Sequence, residues 1–146
     1  NQGAKLQELV VAASPEVAID GRAMLLQDHS SDYGAIFQDF PVADDGSAHT
    51  FSIDLKAADS PIAQILMIYH GGEQKSYHAF VDLRHMSTFG SGDIERTKLP
   101  NGWYRIKLTG ANNHAGNTTI RLQVYPRHGR PQDIGSVHVA NALLDP

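Results

Sequence analysis

Sixteen acidic residues and eight histidines are the groups in this chain most capable of acid–base or metal chemistry. Two carboxylates do acid–base work when their surroundings raise the pKa of one of them. Asp54 and Asp82 are candidates, each at an alternating position of a different apolar run. Nothing in their spacing makes them converge, and solvated outer-face carboxylates are the simpler expectation. No Gly-x-Ser-x-Gly elbow, Walker loop or Gly-x-Gly-x-x-Gly fingerprint occurs. His29, His49, His70, His78, His85, His114, His128 and His138 include no i, i+4 pair and no His-Glu-x-x-His. His70 and His78 flank one hairpin, but its loop places Lys75 nearer to His70 than His78. Calcium suits the chain better than zinc, because it takes oxygen ligands from several loops. Asp20, Asp28, Asp44, Asp45 and Asp145 lie near expected strand ends, without EF-hand spacing. Ordinary turn carboxylates, bonded to nearby backbone donors, account for the same residues.

Composition narrows the field. The chain has 146 residues, which suits one domain over residues 1–146. It has no cysteine, so disulfides and thiolate metal sites are excluded. Its formal charge of −4 disfavours nucleic acid as a partner, since phosphates call for a basic patch. No apolar run approaches the length of a membrane helix; Ile65 to Tyr69, as long as any, has five residues. Asn1 to Lys5 carry no signal-peptide pattern, and there is no initiator Met. The expectation is a mature protein or a module excised from a larger one.

The elements that must position any site are strands. Phe51, Ile53 and Leu55 alternate with Ser52, Asp54 and Lys56. Tyr104, Ile106 and Leu108 alternate with Trp103, Arg105 and Lys107, and Ile120, Leu122 and Val124 with Arg121, Gln123 and Tyr125. A period of two marks a strand with one buried face. Turn signals at Asp44–Ser47, Ala58–Pro61, Gly71-Gly72, Pro100–Gly102, Gly110–Gly116 and Arg127–Gly135 separate the runs. The predicted strands are 6–12, 22–27, 35–42, 49–57, 65–70, 75–83, 94–99, 103–109, 118–125 and 136–143. Met86 to Asp93 reads as a loop. Many short strands with regular turns predict an all-β fold, a two-sheet antiparallel β-sandwich of jelly-roll type.

These strands present side chains suited to a sugar. Sugars offer C–H faces to aromatic rings and hydroxyls to planar hydrogen-bonding groups. If the aliphatic sets point inward, Arg121, Gln123 and Tyr125 point outward, as do Trp103, Arg105 and Lys107. On the hairpin, Tyr77 shares a face with Ala79 and Val81, and His78 with Phe80 and Asp82; alternation does not say which face is wet. A Trp that opens a strand also commonly closes the end of a core. Arginines on a wet face would suit an acidic polysaccharide through bidentate contacts to carboxylates. Asn117-Thr118-Thr119 matches a glycosylation sequon.

Four segments in order carry a resemblance: AIFQDFPVADDGSAHTFSIDLKA (35–57), HAFVDL (78–83), LPNGWYRIKLTG (99–110) and GSVHVANALL (135–144). Together they resemble the carbohydrate-binding β-sandwich modules of the galactose-binding-like jelly-roll group. Such modules are appended to polysaccharide-degrading enzymes, phage tail proteins and exopolysaccharide proteins. The closing strand departs, with Ala140-Asn141-Ala142 where the group has Trp-Gly-Ala. The resemblance implies a non-catalytic module of an extracellular or periplasmic protein that binds polysaccharide or oligosaccharide. It implies a site on a concave sheet face or at loop tips, and a covalently linked neighbouring domain. It also implies a structural calcium, with Asp20 and Asp145 as the nearest ligands. On this reading Arg105, Arg121, Gln123, Tyr125 and His138 make one polar wall, and Tyr69, Tyr77 and Trp103 are stacking rings. Two alternatives compete. One is a structural or assembly domain that packs on a catalytic neighbour or oligomerises through an apolar patch at Ile65–Tyr69. The other is a small polysaccharide hydrolase or lyase with a cleft of His78, Arg105 and Tyr125.

Overall fold

The computed structural model describes residues 5–7, 9–13, 24–28, 35–58, 62–85, 87–126 and 135–145. These residues form two antiparallel six-stranded sheets. The front sheet runs β1 (Lys5–Gln7), β4 (Ala35–Pro41), β11 (Thr119–Tyr125), β6 (Ile62–His70), β7 (Lys75–Asp82) and β8 (Ser87–Gly90). The back sheet runs β2 (Leu9–Ala13), β3 (Met24–Asp28), β12 (Gly135–Asp145), β5 (Ala48–Ala57), β10 (Tyr104–Ala111) and β9 (Asp93–Lys98). The all-β sandwich expected from alternation is therefore what forms. No helix among the described residues is long and apolar enough to cross a membrane.

Alternation places the core. Ala63, Ile65, Met67 and Tyr69 of β6, Ala79 and Val81 of β7, and Ile120, Leu122 and Val124 of β11 point from the front sheet into one cluster. Phe51, Ile53 and Leu55 of β5, Ile106 and Leu108 of β10, and Val137 of β12 meet them from the back sheet. Burying a side chain of this size contributes about 1.5–3 kcal/mol. The stretch Ile65–Tyr69 thus offers no continuous apolar surface. Ile65, Met67 and Tyr69 are inside, and only Leu66 and Ile68 reach the outer side, both half-buried.

Two tyrosines join the layers. Tyr69 of the front sheet donates its hydroxyl to the Gly110 carbonyl of β10 at 2.8 Å. Tyr77 donates to the next carbonyl, Ala111, at 2.7 Å. Gly110 has to be glycine, because a Cβ there would enter the Tyr77 ring.

Two details differ from the expectation. Met86–Asp93 does not stay a loop, because Ser87–Gly90 pairs with β7 as the front sheet's edge strand. Its four residues are too few for a visible alternation. Trp103 does not open β10 either. It follows a single turn at Pro100–Gly102, in which Asn101 and Gly102 take positive φ.

Candidate functional site

The alternate residues of the front sheet that miss the core line up in rows across its outer face. Cross-strand register places Tyr125 opposite Gln64, Gln64 opposite Phe80, and Phe80 opposite Phe89. The next row is Phe37, Gln123, Leu66 and His78, and the one after it Asp39, Arg121, Ile68 and Ser76. Phe89 is 53% exposed. Its ring stacks on Phe80 at 4.9 Å with planes 27° apart, and His78 meets Phe80 edge-on at 5.1 Å. Gln123 donates its amide to the Tyr125 hydroxyl at 3.2 Å. This face therefore mixes rings with planar amides, a combination that suits a polyhydroxylated ligand.

Charge on the face is paired. Arg121 grips Asp39 with two bonds, Nε to Oδ1 at 2.8 Å and Nη2 to Oδ2 at 3.1 Å. The guanidinium also lies 3.9 Å from the Phe37 ring centre and covers that ring. Hydrogen bonds from Arg121 hold the Asp39 carboxyl below its ordinary range, against a smaller opposing effect of burial. His70 Nε2 stands 3.6 Å from Asp39 Oδ1, too far for a hydrogen bond and near enough to feel its charge. Burial raises the Tyr125 phenol above its ordinary range.

The expected polar wall divides between the two sheets. Arg121, Gln123 and Tyr125 stand together on the front face. Arg105 belongs to the back sheet, where it clamps the buried Asp54 by bonds of 2.8 and 3.0 Å. Asn141, at a bulge in β12, donates to the same carboxylate at 2.8 Å. His138 is also on the back sheet and nearly buried. A cleft of His78, Arg105 and Tyr125 does not assemble, because Arg105 faces away from the other two. Asp54 and Asp82 are on different sheets and make no acid–base pair.

The expected stacking rings are not available for stacking. Trp103 is 1% exposed and packs on Ala140 and Leu99. Tyr69 is fully buried, and Tyr77 is partly buried against the core, its ring over Gly110. The rings on the wet face are Phe89 and Phe80, beside Tyr125. Parity already grouped Phe80 with His78. Phe89 was hidden because its strand is so short, although Thr88-Phe89 is a β-forming pair just before Gly90.

The loop end is occupied by its own bonds. Asn117 is fully buried; its amide donates to the Glu73 carbonyl and to Asn113 Oδ1, and its Oδ1 accepts from the Gly72 amide. Asn112 donates to the Ala43 and Asn117 carbonyls at 3.0 Å each. The amides that could meet a sugar there already tie three loops together, and the sequon asparagine is inaccessible. Among the described residues no three His, Asp or Glu side chains gather as a metal site. Asp20 lies outside the described residues. Asp145 lines a back-sheet hollow of about 330 Å³ with Arg105 and Lys107, and two cations beside one carboxylate fit calcium poorly.

No family model matches the chain, and no curated protein matches it. Solved structures do. The chain superposes on a family 4 carbohydrate-binding module with a TM-score of 0.60 at 10% identity, over 99% of this chain and 87% of that one. A family 16 carbohydrate-binding module gives 0.55 at 13% identity, over 92% and 84%. The family 22 and glycoside-hydrolase family 10 modules of Clostridium thermocellum xylanase 10B, solved with xylohexaose, give 0.60 at 13% identity. That match covers 99% of this chain and 26% of the xylanase chain. The fold is thus the β-sandwich found in carbohydrate-binding modules.

Proposed function

We propose that this chain is a non-catalytic carbohydrate-binding module and that the outer face of the front sheet holds the glycan. The observation that carries this reading is the row Tyr125, Gln64, Phe80 and Phe89, which ends in an exposed ring. Phe89, stacked on Phe80, extends that ring into a small aromatic platform at the sheet edge, a surface suited to the C–H face of a sugar. Arg121 flanks the row with a partly exposed planar donor, and the buried Gln123 holds the Tyr125 hydroxyl in place. Modules of this fold in the comparisons carry carbohydrate-binding names, which supports the same reading. The attachment of one of them to a glycoside hydrolase supports a polysaccharide-degrading neighbour for this chain as well. A polysaccharide substrate and an enzyme partner of that kind also favour an extracellular or periplasmic setting.

Calorimetric titration with a panel of neutral and acidic polysaccharides tests the reading. We expect at least one to bind, and Phe89→Ala to weaken that binding about five- to tenfold, as the loss of one aromatic contact worth about 1 kcal/mol implies. Phe89 is on the surface, so the variant keeps its fold. An unchanged affinity in Phe89→Ala would move the site off this face, and binding to nothing in the panel would remove the function.

A further inference from the structure

We infer that the hollow on the outer face of the back sheet binds a small zwitterion, an α-amino acid with an apolar side chain. The hollow lies on the opposite side of the sandwich from the proposed glycan face and does not depend on that reading.

A break in β12 shapes the hollow. Ala140 stands opposite Asp54 and Leu143 opposite Ser52, so β12 carries one residue more than β5 between these pairs. A bulge of this kind re-aims side chains. Asn141 sits at it with a φ of 54°, a conformation that Asn tolerates better than most residues. Its amide turns to the outer face and donates to Asp54. Leu143 follows, 57% exposed. With Ser52, Arg105, Lys107 and Asp145 these two line about 330 Å³, room for a ligand of amino-acid size.

The charges on the walls say what fits. Arg105 is clamped on Asp54. Lys107 and Asp145 have no partner among the described residues. Glu95 faces Lys107 across the β9–β10 ladder without pairing with it. Lys56 and His138 form the row beyond Asp54, and Asp93 ends the row that holds Asp145, Thr50 and Thr109. Asp54, Glu95 and Asp145 thus stand against Arg105 and Lys107. A bare anion meets these carboxylates, and a bare cation meets the guanidinium and the ammonium. A ligand with both charges finds a partner at each end. Its carboxylate would accept from the Lys107 ammonium and from the hydroxyl of the buried Ser52, which has no partner among the described residues. Its ammonium would donate to Asp145 and to the amide oxygen of Asn141. Leu143 offers apolar surface to the side chain between them. No aromatic ring lines the hollow, so it lacks the stacking surface that a sugar calls for.

Calorimetry on the intact chain with L-leucine tests the inference. Isocaproate, which lacks the ammonium, and isoamylamine, which lacks the carboxylate, are run beside it. We expect L-leucine to bind and each analogue to bind at least tenfold more weakly, as the loss of one charge-assisted bond implies. Lys107→Met and Asp145→Asn alter exposed side chains, and each should weaken L-leucine by a similar factor; melting temperatures confirm that both variants fold. Saturating L-leucine should leave polysaccharide affinity unchanged, and Phe89→Ala should leave L-leucine affinity unchanged, so the two sites stand or fall separately. Isocaproate binding as tightly as L-leucine would make the hollow a plain anion site and overturn the zwitterion. No heat from L-leucine up to its solubility limit, or full affinity in both charge variants, overturns the site.

Discussion

The hydroxyl of Tyr69 reaches from the front sheet to the Gly110 carbonyl of the back sheet, 2.8 Å away. Its single proton goes to that carbonyl. The 2.8 Å contact with His49 is then a bond in which Nδ1–H of the imidazole donates to the phenol oxygen. A carbonyl, a phenol and an imidazole thus form one chain of bonds between the layers. Tyr77 repeats the bridge one residue along β10.

Tyr69→Phe should therefore cost about 1–2 kcal/mol, because it strands the Gly110 carbonyl in the interior. Urea denaturation measures the loss, and glycan affinity should be unaffected. The phenol pKa is pushed up to about 12, mainly by burial, from an ordinary 10. A raised pKa means the fold favours the protonated form. That contribution is complete below pH 10 and is lost as pH rises toward 12. In wild type, stability should fall across that window more steeply than in Tyr69→Phe.

Arg105→Ala should unfold the sandwich more readily without disabling the glycan face. Asp54 is 1% exposed and keeps Asn141 as a donor, but loses the charge that balances it. Removing one partner of such a pair costs about 3 kcal/mol, toward the low end because Arg105 itself is partly exposed. Thermal melting with and without a bound oligosaccharide separates the two effects. A normal melting temperature with lost binding would place the site on the back sheet.

Asn117 should escape glycosylation even in a host that modifies its sequon, provided the chain folds first. Its amide nitrogen already makes two bonds inside the loop cluster. Intact mass after secretion from such a host checks this. Asn117→Ala should cost about 1–3 kcal/mol, since the Gly72 amide loses its partner and the Glu73 carbonyl keeps only Asn113.

Trp103, the single tryptophan, should report unfolding and not ligand. It packs against Ala140 and Leu99 behind the back sheet. Its emission should be blue-shifted in the native state and unmoved by saturating glycan. It should shift red only through the denaturation transition. A ligand-dependent change would show that the back sheet takes part in binding.

Much of this was legible in the sequence. The alternation of β5, β10 and β11 predicted which residues of each strand go inside, and the sandwich follows from several such strands. What alternation does not encode is which sheet a strand joins. Arg105 and Arg121 both point outward by parity, yet strand order sends them to opposite sides of the molecule. Polarity misled at Tyr69 and Tyr77, whose hydroxyls find carbonyls in the opposite layer and so allow deep burial of a polar-tipped ring. Phe89 was missed because a four-residue edge strand is too short to have a period. The Asp39–Arg121 pair joins residues far apart in sequence, and only the β4–β11 register brings them face to face.

In β6 and β7, one set of alternate residues goes to the core and the other to the outer face. If the proposed site is right, substitutions at Gln64, Phe80 or Phe89 would change what is recognised while the residues that hold the layers together stay fixed. Such a sheet can acquire a new specificity in small steps, each one tolerated by the fold. Descendants of one ancestor could then diverge in taste and in sequence long before they diverged in shape.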